Sequence, residues 1–162
     1  MGITGPAPFG FERRWLSKSF MTLEKQPYVF AENNNEEAQV ILGVGKRQVL
    51  SIEYWLKCLG LTSKSNQETA LTPLGQIINH MDPQFEERAT WFVIHYQLTR
   101  DRDVASTYWF AFRKMPKAFD RKALIQGLEK EFPKRSPRTY SDAVSVFFSI
   151  ISKTEISSQC EI

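Results

Sequence analysis

The sequence feature that most constrains the fold is a pair of glycines, Gly43 and Gly45, on either side of Val44. Apolar residues at helical spacing precede them (Ala38, Ile41, Leu42) and follow them (Val49, Ile52, Trp55, Leu56, Leu59). Glycine readily adopts the left-handed backbone of a tight helix-helix corner, and Val44 is placed to fill the angle. Residues 36–61 are therefore predicted to form a helix-turn-helix.

The second of these helices is expected to turn a polar edge outward at its amino end. With Val49 and Ile52 on the buried side, the outward residues are predicted to be Lys46, Arg47, Gln48 and Ser51. Arg and Gln side chains can make paired hydrogen bonds to guanine and adenine edges in the major groove of DNA. The alternative is a plain helical hairpin with a solvated polar face.

The residues after this helix suggest a small β-hairpin. Residues 62–67 are polar and turn-like, residues 68–72 can form a strand, and Pro73 opens the next helix. Helix, turn, helix and hairpin is the element order of a winged helix, with Lys64 and Asn66 in the predicted wing tip. A wing commonly contacts DNA beside the recognition helix, although a surface hairpin without a binding role fits the same pattern.

The carboxyl-terminal half is predicted to be helical. Asp82-Pro83 is expected to open a long apolar helix that packs centrally between two lobes, an aromatic-rich helix follows from about residue 104, and Asp120 is expected to cap another. A basic corner at 133–137 then precedes a last helix, which suggests a second helix-turn-helix. Its outward candidates are Arg135, Ser136, Arg138, Thr139 and Ser141.

Together these patterns predict a mainly α-helical chain with four parts. Residues 1–10 form a flexible arm rich in Gly and Pro, and residues 11–82 form a winged-helix-like lobe. Residues 83–153 form a helical lobe with a possible second helix-turn-helix, and residues 154–162 form a polar tail. A length of 162 residues suits one domain or two small lobes that share an interface.

Charge and composition narrow the function classes. The net charge is only +3, but basic residues far outnumber acidic residues between 105 and 140, as suits a polyanionic partner. The two cysteines imply no disulfide framework, and no apolar run approaches the roughly 20 residues of a membrane span. We therefore expect a cytoplasmic protein. His80 and His95 have no carboxylate or thiol at a familiar metal-binding spacing, so no metal site is predicted.

Several motifs taken together resemble a bacterial family named domain-of-unknown-function four-thousand-and-seven. They are Leu42-Gly43-Val44-Gly45-Lys46, the aromatic run Tyr54-Trp55, Leu71-Thr72-Pro73-Leu74-Gly75 and the later Tyr108-Trp109-Phe110. Members of that family include SspB-like components of DNA phosphorothioation and anti-phage defence clusters, described as DNA nickases. The resemblance implies a DNA-handling subunit whose partners would be a cysteine desulfurase and a PAPS-reductase-like enzyme.

Three functional hypotheses follow. The first is a DNA-binding module that contacts duplex DNA through the helix-turn-helix. The second, implied by the resemblance, is a strand-nicking endonuclease, which would need magnesium or manganese held by carboxylates. Glu86, Glu87, Asp101 and Asp103 are the nearest such grouping, but no catalytic residue can be named among them. The third is a non-catalytic scaffold whose aromatic helices dock a partner protein.

Overall fold

The computed structural model describes residues 3, 9–31 and 35–153 of the chain. In chain order, its helices and strands are α1 (Arg13–Leu23), α2 (Asn35–Leu42), α3 (Lys46–Cys58), β1 (Thr62–Ser65), β2 (Glu68–Leu71), α4 (Pro73–Met81), α5 (Arg88–Arg100), α6 (Ser106–Arg113), α7 (Arg121–Glu131) and α8 (Pro137–Lys153). The two strands pair antiparallel, with Thr62 opposite Leu71 and Ser65 opposite Glu68. The predicted mainly α-helical fold with a small hairpin is confirmed.

One apolar core draws on every described helix and on the residues before α1. Its middle is a series of aromatic contacts that runs from Phe11 to Trp55 on α3, then to Tyr108 on α6 and on to Phe147 on α8, with ring centroids 5.0–6.1 Å apart. The aromatic-rich helix therefore lies in the core, as predicted. Because these contacts connect α3 with α6 and α8, the first part of the chain is held to the last part.

Local capping signals in the sequence are confirmed where the structure describes them. The Asp120 carboxylate accepts a hydrogen bond from the Ala123 amide at 2.7 Å and caps α7. Pro73 lies at the start of α4, where its missing N–H is not needed. Pro137 likewise lies at the start of α8, after the predicted basic corner.

The prediction that Asp82-Pro83 opens a helix is wrong, because α5 begins at Arg88. The buried Asp82 carboxylate instead accepts hydrogen bonds from the amides of Glu86 and Glu87, at 2.8 and 3.0 Å, and from the Thr90 hydroxyl at 2.7 Å. Phe85, which lies between Asp82 and Glu86, has a φ of 56°, which a right-handed helix does not allow. The segment is thus a compact turn built around one carboxylate.

The predicted central position of α5 is also wrong. One side of this helix packs into the core through Trp91, Ile94 and Leu98. The other side is exposed, with Phe92 55 % and Tyr96 58 % accessible. Aromatic residues around the whole helix suggested burial on all sides, but no other described segment covers the outer one.

The predicted flexible arm contacts the rest of the chain at the three positions that the structure describes, although the Phe9 side chain is exposed. Ile3 is buried, and its carbonyl accepts a hydrogen bond from the Thr107 hydroxyl at 3.0 Å. Phe9 and Gly10 precede α1 and lie beside α3 and α8, respectively. The predicted tail at 154–162 lies outside the described residues. The division into two lobes, the winged-helix class and the second helix-turn-helix stay predictions.

Candidate nucleic-acid interface

The corner between α2 and α3 depends on one left-handed residue. Gly43 has a φ of +69°, and its amide and that of Val44 both bond to the Gln39 carbonyl, at 2.8 and 3.1 Å, which ends α2. Gly45 does not share this conformation, contrary to the expectation for two left-handed glycines. It has an extended backbone (φ −76°, ψ 161°) and is the N-cap of α3.

The corner places two basic side chains at the amino end of α3. Lys46 and Arg47 are exposed, and neither has an ion-pair partner among the described residues. The first turn contains no acidic residue, and Gly45 provides no side chain to cap the free amides. Gln48 is half-buried. Lys46 and Arg47 therefore both lie at the surface, as predicted.

A third cation, missed in the sequence, lies beside this corner. Lys18 on α1 places its Nζ 3.8 Å from where a Cβ of Gly43 would stand. It is exposed and has no ion-pair partner among the residues described. The helical periodicity of α1 assigns Lys18 to its polar side, but only the packing of α1 against α2 brings it to Gly43. We call Lys18, Lys46 and Arg47 the corner cations.

Ser51 does not belong to this surface, so its assignment as an outward residue is wrong. It is 1 % exposed, and its hydroxyl donates to the Phe9 carbonyl at 2.7 Å. The Trp55 indole Nε1 donates to the same carbonyl at 2.8 Å. Trp55 and Cys58 widen the buried side of α3 beyond Val49 and Ile52, so that Ser51 falls within it.

The solvent-exposed side of α3, which we call its open side, consequently lies at a different angle around the helix axis than predicted. Lys46, Leu50, Glu53 and Lys57 follow one another at helical spacing, and each is at least partly exposed. Tyr54 beside them is half-buried, and its hydroxyl lies 3.3 Å from the Val104 carbonyl that accepts its hydrogen bond. Lys57 and Leu50 were missed in the sequence because the extent of the buried side depends on the residues before α1.

The hairpin lies beside this open side, but its lysine is already engaged. The Lys64 Nζ donates to the Glu53 carboxylate at 2.7 Å and to the Phe30 carbonyl at 2.9 Å. Lys64 therefore fixes the hairpin to α3 and is not the free wing-tip cation that the sequence suggested. Asn66 is exposed at the turn with a φ of 55°, a conformation that asparagine tolerates well.

The Leu71-Thr72-Pro73-Leu74-Gly75 motif has a structural explanation. The Thr72 hydroxyl donates to the Gly60 carbonyl at 2.6 Å and accepts from the Gly75 amide at 3.1 Å, and so it caps α4. Gly75 packs so closely that any Cβ would collide with the Leu61 carbonyl oxygen. The motif thus holds the base of the hairpin against α4.

The second set of predicted residues lies at the corner between α7 and α8. Arg135, Ser136, Arg138 and Ser141 are exposed, and Arg138 pairs loosely with Asp142 at 3.8 Å. The Thr139 hydroxyl is 2.9 Å from that of Ser136, whose oxygen also accepts the Thr139 amide. Ser136 and Thr139 therefore stabilise the start of α8, whereas the Arg135 and Arg138 side chains extend into solvent.

The acidic residues considered for a metal site are not brought together. Glu86 and Glu87 precede α5, and Asp101 and Asp103 follow it, so the helix separates the two pairs by roughly 20 Å. Glu86 lies 3.5 Å from Arg13, and the Asp101 carboxylate accepts the Asp103 amide. Within residues 3, 9–31 and 35–153, no group of three His, Cys, Asp or Glu side chains could hold a metal ion.

The perturbed titratable groups are structural in origin. Burial raises the pKa of the Cys58 thiol to about 11, so the thiol is neutral and a poor nucleophile at physiological pH. Burial lowers the pKa of His95. Desolvation alone would raise the pKa of Asp82, but its hydrogen bonds from Thr90 and from two amides outweigh that effect and lower it.

Comparison with known proteins identifies the family of the chain and the fold that it shares. The chain belongs to the family described as Protein of unknown function (DUF4007), whose family model matches residues 7–154. No curated protein matches the chain. None of the helices in the described ranges combines the length and apolar character that a membrane crossing requires.

Two crystal structures of SspB share the fold. The magnesium ion-bound SspB structure is 21 % identical, with a TM-score of 0.71 over 94 % of this chain and 50 % of that one. A second SspB structure is 23 % identical, with a TM-score of 0.72 over 86 % of this chain and 46 % of the other. The chain therefore spans about half the length of the SspB chains that it matches.

Proposed function

We propose that this protein is a DNA-binding component of a bacterial DNA phosphorothioate modification or anti-phage defence system, and that it binds duplex DNA through α3. The observation that carries the proposal is the unpaired Lys46 and Arg47 at the amino end of α3, beside Lys18. Three cations without intramolecular partners among the described residues, grouped at a helix end that itself favours anions, are suited to a phosphate backbone.

The corner cations would have different roles on DNA. Lys18 and Lys46 are compact charges that suit phosphate contacts, whereas the planar guanidinium of Arg47 can make two parallel hydrogen bonds to the O6 and N7 atoms of guanine. Gln48, half-buried on the next position, has less freedom to reach a base. Arg135 and Arg138, and Asn66 in the hairpin, would add contacts only where the DNA extends past α3.

A binding measurement with position-matched variants tests this proposal. We expect Arg47→Ala to weaken binding to a labelled duplex by about tenfold, because it removes a phosphate or guanine contact. Arg100→Ala is the matched control, since it removes one exposed positive charge from the end of α5 and should leave affinity almost unchanged. Equal losses for both variants, or no binding by the unmodified protein at low salt, would refute the proposal.

A second candidate function is a protein-interaction scaffold, which the exposed side of α5 supports. Phe92, Val93 and Tyr96 form an apolar strip on a helix that the sequence predicted to be covered. A cysteine desulfurase or a PAPS-reductase-like enzyme would be the expected partner in a phosphorothioation system. Co-purification that survives nuclease treatment and is lost in a Phe92→Asp, Tyr96→Asp variant would favour this function.

The strand-nicking alternative gains no support from the described residues. Its candidate carboxylates lie at opposite ends of α5, and we assign no catalytic role to them. Magnesium or manganese would be a cofactor only under that alternative. A plasmid assay with magnesium or manganese tests this alternative. If the purified protein converts supercoiled plasmid to open circles, and the activity copurifies with the protein, the strand-nicking function would be supported.

A further inference from the structure

A groove of about 230 Å³ lies between the open side of α3 and the hairpin. The α3 wall consists of Leu50, Glu53, Tyr54 and Lys57, and the hairpin contributes Thr62, Lys64 and Thr69. Only Lys64 among them was a predicted site residue. The ion pair between Lys64 and Glu53 holds the two walls together at 2.7 Å. The groove is therefore a built feature, with both of its walls fixed to each other.

The groove has hydrogen-bonding capacity that the protein does not use. Thr69 is 2 % exposed, and its buried hydroxyl has no hydrogen-bond partner among the described residues. The Glu53 carboxylate uses one oxygen for Lys64, and the exposed Lys57 ammonium has no ion pair within the described part of the chain. A buried polar group without a partner is unfavourable, so a ligand that accepts or donates a hydrogen bond once the Thr69 side chain turns its hydroxyl toward the groove gains affinity.

The size and lining of the groove select a class of ligand. Its volume is below the roughly 300 Å³ at which sites for drug-sized molecules begin, so it can enclose a group about the size of one nucleobase, and an attached sugar and phosphate would stay at its open side. Leu50 and the Tyr54 ring offer apolar surface that a bare phosphate would not use. Glu53, Lys57 and Thr69 offer polar groups that a hydrocarbon would leave unpaired. A planar base with polar edges and an attached phosphate uses both kinds of surface.

We infer that this groove binds one nucleotide unit, with its base against Leu50 and Tyr54 and its phosphate toward Lys57. Lys46, Leu50 and Lys57 lie along the same side of α3, so a DNA strand held at the corner cations would pass the groove. A nucleotide from that strand can enter only when it is unstacked. Binding of a nucleotide that belongs to a DNA strand, which we call the DNA form of the inference, rests on the proposed function. Binding of a free nucleotide does not.

Duplexes that differ by one extrahelical nucleotide test the DNA form. The unmodified protein should bind a duplex with a single-nucleotide bulge about tenfold more tightly than the paired duplex, as expected for one base on an aromatic wall. Leu50→Trp fills the groove and should abolish that preference, measured as the ratio of the affinities for the bulged and the paired duplex. Ile77→Trp adds the same ring at an exposed apolar position of α4 and should keep the preference. Thermal melting confirms that each variant folds.

A free deoxynucleoside 5′-monophosphate, titrated into isotopically labelled protein, tests the groove without DNA. The amide resonances of Thr62, Thr69 and Lys57 should shift in a saturable way, and Leu50→Trp should remove the shifts. No binding to either duplex would defeat the proposed function but leave this titration to decide the inference. Equal affinity for bulged and paired duplexes would overturn the DNA form. The absence of both a bulge preference and saturable shifts would overturn the inference as a whole.

Discussion

At the scale of single residues, Asp82 shows how one buried carboxylate replaces a regular element. Three hydrogen bonds from Glu86, Glu87 and Thr90 surround it, and they hold its pKa below the ordinary value of 3.8 although desolvation acts in the opposite direction. A group whose pKa is lowered in the folded state stabilises the protein above its unfolded-state pKa. That stabilisation is lost as the pH falls through the lower folded-state pKa.

Asp82→Asn should therefore lower the free energy of unfolding by about 1–3 kcal/mol at neutral pH, because the amide cannot accept all of these hydrogen bonds. The difference from the unmodified protein should narrow as the pH falls below 3.8, where Asp82 begins to be protonated in the unfolded chain. Urea unfolding at several pH values measures both effects. The exposed Asp103→Asn is the control and should change stability by less than about 0.5 kcal/mol. A difference that stays constant with pH would contradict the assignment.

At the scale of elements, the corner between α2 and α3 is specified by two glycines with different roles. Gly43 needs a positive φ to end α2, whereas Gly45 has a φ open to any residue and open space around its Cβ position. The same substitution at the two positions should consequently have different effects on stability. Gly43→Ser should destabilise the protein by about 1 kcal/mol, because a Cβ is disfavoured in the left-handed region.

Gly45→Ser should instead be neutral or stabilise the protein by up to about 0.5 kcal/mol, because serine caps a helix at least as well as glycine does. Thermal or urea denaturation of the two variants checks the pair. Equal destabilisation at both positions would mean that Gly45 also needs a left-handed backbone. Gly43→Asn is a useful third variant, since asparagine tolerates positive φ and should recover most of the loss at that position.

The same elements show which structural features could be predicted from the sequence without knowledge of the packed chain. Gly43, Asp120 and Pro73 act on their own backbone neighbours, so their effects follow from local geometry. Ser51 could not be assigned in that way, because the segment that covers it is Phe9, 42 positions earlier in the chain. Lys64 likewise binds Phe30 and Glu53 from other elements. Burial and pairing between distant segments are properties of the packed chain that periodicity does not encode.

At the scale of the whole molecule, one apolar core packs against the buried side of α3 and leaves its open side accessible to solvent. The Phe9 carbonyl binds Ser51 and Trp55, and the aromatic contacts continue through Tyr108 into α8. Such support fixes the direction of α3, so that the corner cations and the groove keep a constant relation to each other. A helix whose backbone is already held by the core loses little backbone conformational entropy when it binds a surface.

The salt dependence of duplex binding tests the central claim, that the corner cations contact DNA phosphates, most directly. For each phosphate contact, the slope of log affinity against log salt concentration changes by about 0.9. Lys18→Ala combined with Lys46→Ala should therefore make the slope shallower by nearly 2, whereas Arg100→Ala should leave it unchanged. A double variant with the slope of the unmodified protein would show that DNA, if bound at all, is bound elsewhere.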